Sequence, residues 1–215
     1  MTPRYRLVFF DVDSTLVTIE GIDLLAKSNP EIVALTEAAM NGEIPIDEVY
    51  RRRLEIIQPT REAIDSLAEQ YVASLVTGAS ELVNLLTNAG AEVHLVTAGI
   101  EQAVVPLAKS LGVPERAVHA VRLLFDDQGR YRDFDRSSNL TRAGGKELVV
   151  LDLRSRAKGK AAYVGDGVTD LDAKPAVDLF IGFGGVTIRD RVRDAADSYV
   201  MRFDELVPLL FSDQS

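Results

Sequence analysis

The chain contains no cysteine. A disulfide scaffold, a cysteine-ligated zinc site and a thiol nucleophile are therefore excluded. Histidine is almost as scarce: His94 and His119 are the only two, too few for a histidine-rich zinc centre. His94 sits within an apolar run and reads as a core residue, whereas His119 carries no signal. No Gly-x-Ser-x-Gly elbow is present, so a hydrolase triad of that kind has no anchor. No apolar run approaches the roughly 18 to 20 residues of a membrane span, and the first residues lack a signal-peptide core and a small-residue cleavage site. A cytoplasmic location is the expectation. Positive charge is in deficit, with 24 Lys and Arg against 33 Asp and Glu for a formal net charge of -9. This argues against nucleic acid or an anionic membrane surface as partner, since both need clustered cations. A small anionic substrate held by a few local cations remains compatible with it.

At 215 residues, with 47 % hydrophobic and 27 % charged residues, the chain has the composition of a globular protein with a substantial core. The densest signal is a pair of acidic segments: Asp11-Val12-Asp13-Ser14-Thr15 near the start and Gly165-Asp166-Gly167-Val168-Thr169-Asp170 near the end. Each follows a four-residue apolar stretch, Leu7 to Phe10 and Ala161 to Val164, with the length and composition of a buried parallel strand. Ligands in open α/β sheets bind where such strands end. Side chains two apart on an extended segment point the same way, so Asp11 and Asp13 can face one site. Asp166 and Asp170 are four apart across a glycine-flanked turn. At about 4 Å and an effective dielectric of about 20, each like-charge pair costs roughly 4 kcal/mol, so four converging acids demand cations. All-oxygen ligands suit Mg²⁺. For any single aspartate, a solvated loop acid is the commoner reading.

After the first strand the pattern turns helical for some sixty residues. Ile22, Leu25 and Ala26, then Ile32, Val33, Leu35, Ala39 and Met40, recur at helical spacings, punctuated by Pro30 and Asn41-Gly42. A helix is predicted through Arg51 to Ile57, and another is predicted after Thr60 as N-cap, with Ala63, Ile64, Leu67, Ala68 and Tyr71 on one face. This block, at 18–74, reads as a small helical insert. From Gly78 a βα alternation resumes: a helix over Leu82 to Ala89, a strand at Val93 to Val96 closed by Thr97-Ala98-Gly99, and a helix from Ile100 to Leu111. A β-hairpin of Val121 to Phe125 with Tyr131 to Phe134 follows. Then come a helix over Lys146 to Leu153 and strands at Ala161 to Val164, Leu179 to Phe183 and Tyr199 to Met201. The alternation predicts an α/β fold, a mostly parallel sheet with helices on both faces.

Other groups carry weaker signals. Thr97-Ala98-Gly99 is read as ending its strand at a helix start, where free N–H groups favour an anion, but a plain N-cap explains Thr97 equally. Lys146, after Gly144-Gly145, is placed to reach a phosphate oxygen or is simply solvated. Gly182-Phe183-Gly184-Gly185 has the spacing of neither glycine-loop fingerprint and reads as a tight turn, with Arg189 beyond it a ligand contact or a surface charge. Of Arg51-Arg52-Arg53, at most one enters a site, because consecutive helical residues point about 100° apart.

Taken together these residues resemble the haloacid dehalogenase superfamily, and within it the branch that acts on phosphoserine. Four motifs match in order: Asp11 to Thr15, Thr97-Ala98-Gly99, Lys146, and Gly165 to Asp170. The likeness extends to Glu20-Gly21-Ile22-Asp23, Ile57-Gln58-Pro59 and Ile181 to Gly185, so it spans nearly the whole chain. The resemblance implies a Rossmann-like core of residues 1–17 and 75–215 and a small helical cap at 18–74 that selects the substrate. It implies a Mg²⁺-dependent phosphomonoester hydrolase converting O-phospho-L-serine to L-serine and phosphate, a reaction of serine biosynthesis. Asp11 would be the nucleophile, forming an aspartyl-phosphate, and Asp13 the general acid and base. Asp11, the Asp13 carbonyl and Asp166 would hold the metal, with Asp170 nearby. Thr97, the Ala98 and Gly99 amides and Lys146 would neutralise the phosphoryl oxygens. By the same resemblance Glu20 meets the substrate ammonium and Arg53 its carboxylate, Met40 and Asn41 line the contact, and Thr169 and Arg189 assist from the core.

Two departures bear on substrate identity. The family commonly has Ser-Gly-Gly where Thr97-Ala98-Gly99 stands, and glycine where Asn41 stands. Phosphothreonine or another small phosphomonoester is the alternative substrate, and transfer to an acceptor alcohol the alternative reaction. A receiver-type signalling domain also gathers acids, a Thr, a Lys and Mg²⁺ around a phosphorylated Asp. The Asp-x-Asp spacing, the helical insert and the chain length argue against it.

Overall fold

Six short apolar segments form one parallel sheet: β1 (Leu7–Phe10), β2 (Glu92–Ile100), β3 (Val118–Val121), β4 (Ala161–Gly165), β5 (Leu179–Phe183) and β6 (Ser198–Val200). They belong to a computed structural model that describes residues 1–27, 29–41, 43–44 and 46–212, and the side chains of all of these but 39, 40 and 46–48. The spatial order is β3-β2-β1-β4-β5-β6, with every neighbouring pair parallel. All four residues of β1 are buried, as a strand covered on both faces requires. Phe10 lies opposite Leu95 on one side and Val164 on the other. The chain moves outward from β1 to β2 and β3, then returns to the other side of β1 for β4. That reversal opens a crevice beyond the carboxyl ends of β1 and β4, where doubly wound sheets bind ligands.

Between β1 and β2 lie α1 (Gly21–Leu25), α2 (Pro30–Met40), α3 (Ile46–Ile57), α4 (Arg61–Ala73) and α5 (Ala79–Asn88). Thr60 caps α4 by accepting the Ala63 amide at 3.2 Å, and Ile64, Leu67, Ala68 and Tyr71 bury one face. The chain enters and leaves the α1–α4 block through one narrow crossing. Val17 bridges Leu75, the Thr18 amide donates to Ser74 O at 2.9 Å, and Val76 N donates to Leu16 O at 2.9 Å. Downstream, α6 (Glu101–Ser110), α7 (Gly145–Arg156), α8 (Val168–Leu171), α9 (Asp190–Ala195) and α10 (Val207–Leu210) pack around the sheet. Among the described residues no helix is long and apolar enough to cross a membrane.

Two local predictions need correction. Val121 to Phe125 is not one hairpin strand. Val118–Val121 joins the parallel sheet, and only Leu123–Phe125 pairs antiparallel with Tyr131–Phe134. The break at Arg122 is held by Gln102, whose side chain donates to Leu123 O at 2.7 Å and accepts from Leu123 N at 3.1 Å. Nor does β2 end at Val96. It runs to Ile100 through a bulge, because β3 pairs with Leu95 and Val96 and next with Ile100. Thr97-Ala98-Gly99 is therefore the bulge itself, and α6 starts only after it.

His94 and His119 meet across β2 and β3, His94 Nδ1 lying 3.2 Å from His119 Nε2. Burial, then the neighbouring His94, pushes the His119 pKa down to about 4. Below pH 6.5 the unfolded chain takes up a proton that the folded chain refuses, so stability falls as pH drops from 6.5 towards 4. His119→Gln is expected to remove about 1 to 3 kcal/mol of that loss, measured by urea unfolding across the interval.

Candidate active site

The crevice at the strand ends collects the acids. The Asp11 amide still donates to Val164 O at 3.0 Å, which carries the sheet pairing one residue past β1 and fixes where its carboxylate points. Asp166 follows Gly165 directly off β4, and Asp170 sits on the short α8. One carboxylate oxygen from each of Asp11, Asp166 and Asp170 lies within 4.8 Å of the others, and all three residues are buried.

Lys146 balances this cluster. Its ammonium donates to Asp11 Oδ1 at 2.8 Å and to Asp170 Oδ1 at 2.5 Å, with the lysine itself buried. Gly145 makes that reach possible: a Cβ there would overlap the Asn139 carbonyl oxygen, so only glycine lets the start of α7 come so close. Asp170 also accepts from the Tyr163 hydroxyl at 2.8 Å and the Gly167 amide at 2.8 Å. Asp166 accepts from Thr15 Oγ1 and from Arg189 Nε, both at 3.1 Å. Arg189 donates onward to Glu37 of α2 at 3.0 Å.

The electrostatics show how little this compensation leaves in hand. Burial, followed by the Asp170 charge, raises the Asp11 pKa well above the ordinary carboxylate range, although Lys146 pulls it down. Asp166 is pushed up to about 6, by burial and Asp170 against the opposing Arg189. Burial disfavours the Lys146 ammonium, but Asp11 and Asp170 outweigh it and the pKa rises. Buried carboxylate oxygens still short of positive charge fit a hard divalent cation, and Asp11, Asp166 and Asp170 are the side chains that would hold it.

Asp13 turns the other way. Its Oδ1 accepts from the Gly21 amide at 2.8 Å and the Tyr71 hydroxyl at 2.7 Å, so its carboxylate stands apart from the three clustered acids. The metal role expected of Asp13 belongs to its backbone carbonyl, which these bonds do not engage. Burial raises the Asp13 pKa despite both bonds. Glu20 accepts from Ser14 Oγ at 2.6 Å, and burial, then Asp13 and Asp166, raise its pKa strongly.

Asp11, Asp13, Thr97, Ala98, Gly99, Lys146 and Thr169 from the strand ends and the loops beside them line one pocket together with Glu20 and, from α3, Arg53. Of the three arginines on α3, Arg53 alone is buried. Arg51 and Arg52 pair with Glu55 and Glu31 in solvent. Arg53 donates to Thr36 Oγ1 at 3.1 Å and lies over the Tyr50 ring at 5.9 Å, while its buried Nε has no partner among the described residues. Thr97 Oγ1 accepts the Gly99 amide at 3.0 Å, so that amide is engaged within the bulge, contrary to the free donor expected there.

Two expected substrate contacts lie elsewhere. Asn41 is outside the pocket lining, with its carbonyl accepting from Arg191 at 2.6 Å, and Arg189 stands behind Asp166. The Met40 side chain lies outside the described residues. Sequence reading missed Tyr71, Tyr163 and Tyr50. A tyrosine on a buried helical face needs a hydroxyl partner, and that was the available signal for Tyr71.

Addition of millimolar Mg²⁺ is expected to raise the melting temperature by about 5 °C, and Asp166→Asn to abolish the rise. Calorimetry with and without the ion checks this independently of any activity.

Comparison with known proteins agrees with this geometry. The family model described as haloacid dehalogenase-like hydrolase matches residues 8–173. The phosphoserine phosphatase of Bos taurus is 39 % identical over 207 residues, covering 94 % of this chain and 92 % of that protein. The Homo sapiens phosphoserine phosphatase is 38 % identical over 204 residues, covering 93 % and 91 %. A crystal structure of a phosphoserine phosphohydrolase-like protein from Francisella tularensis superposes with a TM-score of 0.87 at 26 % identity, covering 98 % of this chain and 100 % of that one. With its motifs ordered along the chain and gathered at the carboxyl edge of the sheet, this protein belongs to the haloacid dehalogenase-like hydrolases.

Proposed function

We propose that the chain hydrolyses O-phospho-L-serine to L-serine and phosphate through an aspartyl-phosphate on Asp11, with residues 18–74 acting as the cap that selects the substrate. The observation that carries this reading is the charge pattern of the pocket. Besides the acids and Lys146 at the strand ends, its lining includes one further carboxylate, Glu20, and one guanidinium, Arg53, whose buried Nε lacks a partner among the described residues. A free amino acid presents the complementary ammonium and carboxylate. The buried Nε is a costly orphan that a substrate carboxylate satisfies.

In the first step Asp11 attacks phosphorus in line while the leaving alkoxide takes a proton from Asp13. In the second, Asp13 deprotonates the water that hydrolyses the aspartyl-phosphate. Lys146 is bonded to Asp11, which favours the ionised nucleophile and supports a role for its ammonium at the oxygens of the phosphoryl group that Asp11 attacks. Thr97 still has its hydroxyl proton to donate, and with Lys146 it neutralises charge that builds on those oxygens. Mg²⁺ is the cation we assign to Asp11, Asp166 and the Asp13 carbonyl, with Asp170 beside them, and when bound it supplies further charge neutralisation. The curated relatives named phosphoserine phosphatase support the substrate assignment.

Phosphate release in Mg²⁺ is expected to favour phosphoserine over phosphothreonine, phosphoethanolamine, sugar phosphates and nucleotides, with Asp11→Asn inactive. Preference for another member of that panel overturns the substrate and keeps the chemistry. Asp13→Asn is expected to slow turnover by about 10² to 10⁴. Arg53→Met is expected to raise KM for phosphoserine by about 10-fold or more while leaving phosphoethanolamine, which has no carboxylate, nearly unchanged. Equal effects on both compounds would remove Arg53 from carboxylate recognition.

A further inference from the structure

Asp13 is gripped by the helical block between β1 and α5, and the grip leaves its carboxylate one oxygen that no hydrogen bond engages among the described residues. Oδ1 receives two donors, the Gly21 amide at the start of α1 and the Tyr71 hydroxyl from α4. Oδ2 makes neither bond. It lies 3.1 Å from the place a Cβ on Gly99 would occupy, so it faces the pocket lining at Gly99. An oxygen already accepting two short hydrogen bonds cannot take a proton without losing part of one of them.

We propose that Tyr71 is a positioning residue for the reaction: with the Gly21 amide it clamps Asp13 Oδ1, so that Oδ2 is the oxygen that serves the leaving group. This rests on the reading of Asp13 as general acid given above. In that step the bond from phosphorus to the substrate oxygen breaks as the bond from phosphorus to Asp11 forms. The electron pair of the broken bond stays on the leaving oxygen, which takes the proton held on Asp13 Oδ2.

The fold is shaped for this contact. A Cβ at Gly21 would overlap the Tyr71 hydroxyl, so only glycine at 21 lets the amide and the phenol reach the same carboxylate oxygen. Tyr71 is buried on the face it shares with Ile64 and Leu67, where a phenyl ring fills the same space. Packing accounts for the ring but not for the hydroxyl. Because both donors precede α5 while Asp11 and Lys146 belong to the sheet side, the clamp makes alignment of the acid depend on how that helical block is seated.

The test is a double-mutant cycle on the full-length enzyme with phosphoserine and Mg²⁺. Tyr71→Phe is expected to lower kcat/KM on the order of tenfold, the scale of a lost hydrogen bond to a charged group, with a melting temperature near that of the parent. In the Asp13→Asn background, where no acid remains to be aligned, the same change is expected to have no further effect. An equal loss in both backgrounds assigns Tyr71 a purely structural role and overturns the proposal, as does a Tyr71→Phe enzyme as fast as the parent. Gly21→Ala, which displaces the phenol without deleting it, is expected to reproduce the Tyr71→Phe defect. If the parent enzyme turns over a different phosphomonoester, the substrate assignment fails separately and the cycle is read on that compound.

Discussion

A single ammonium group holds the centre of this protein together. Lys146 reaches between Asp11 at the end of β1 and Asp170 on α8, in a place from which water is largely excluded. Without it, three carboxylates whose oxygens lie within 4.8 Å would repel one another by several kcal/mol, and burial would protonate them. For the ammonium to stand there, β1 and β4 must be neighbours in register, α8 must turn back over the strand ends, and α7 must begin close enough to the sheet to deliver its second residue. Gly145 and the left-handed Gly144 before it meet the last requirement. Arg189 plays the corresponding part for Asp166, and its second bond, to Glu37, reaches the helices that follow β1.

The same charges tie the core to those helices. Asp13 is bonded from Gly21 and Tyr71, Glu20 is bonded to Ser14, and Arg191 of α9 holds the Asn41 carbonyl. These polar contacts stand beside a continuous apolar core that runs from the strands into the helices, where Tyr50 and Leu54 of α3 and Ile64, Leu67 and Ala68 of α4 are buried in the same cluster.

Much of this was legible beforehand, for identifiable reasons. The strands Leu7–Phe10 and Ala161–Gly165 are runs of apolar residues with an aspartate at or next to their ends, and period and composition suffice to find them. Thr60 as a cap, and the limit of one inward arginine among Arg51, Arg52 and Arg53, follow from local helical geometry, whereas the choice of Arg53 came from the resemblance. Thr97-Ala98-Gly99 was misjudged because a bulge depends on the partner strand: β3 sets where β2 regains its pairing, and nothing within residues 92–100 records that. Arg122 broke an apparent strand for the same kind of reason, since Gln102 holds the break through Leu123, twenty-one residues further along the chain.

The sequence alone determined the order of the elements, the residue types brought to the strand ends and the need of those acids for cations, because each depends on short-range pattern and on charge. Only the tertiary structure decided how the charges are shared. Lys146 bonds Asp11 and Asp170 and not Asp166, Arg189 stands behind Asp166 and away from the pocket, and Asp13 faces Tyr71 and not the other acids. These partners lie 23 to 135 residues apart in the chain. Pairing over such distances is set by which elements pack side by side, and hydrogen-bond geometry then selects one partner among several of the same charge.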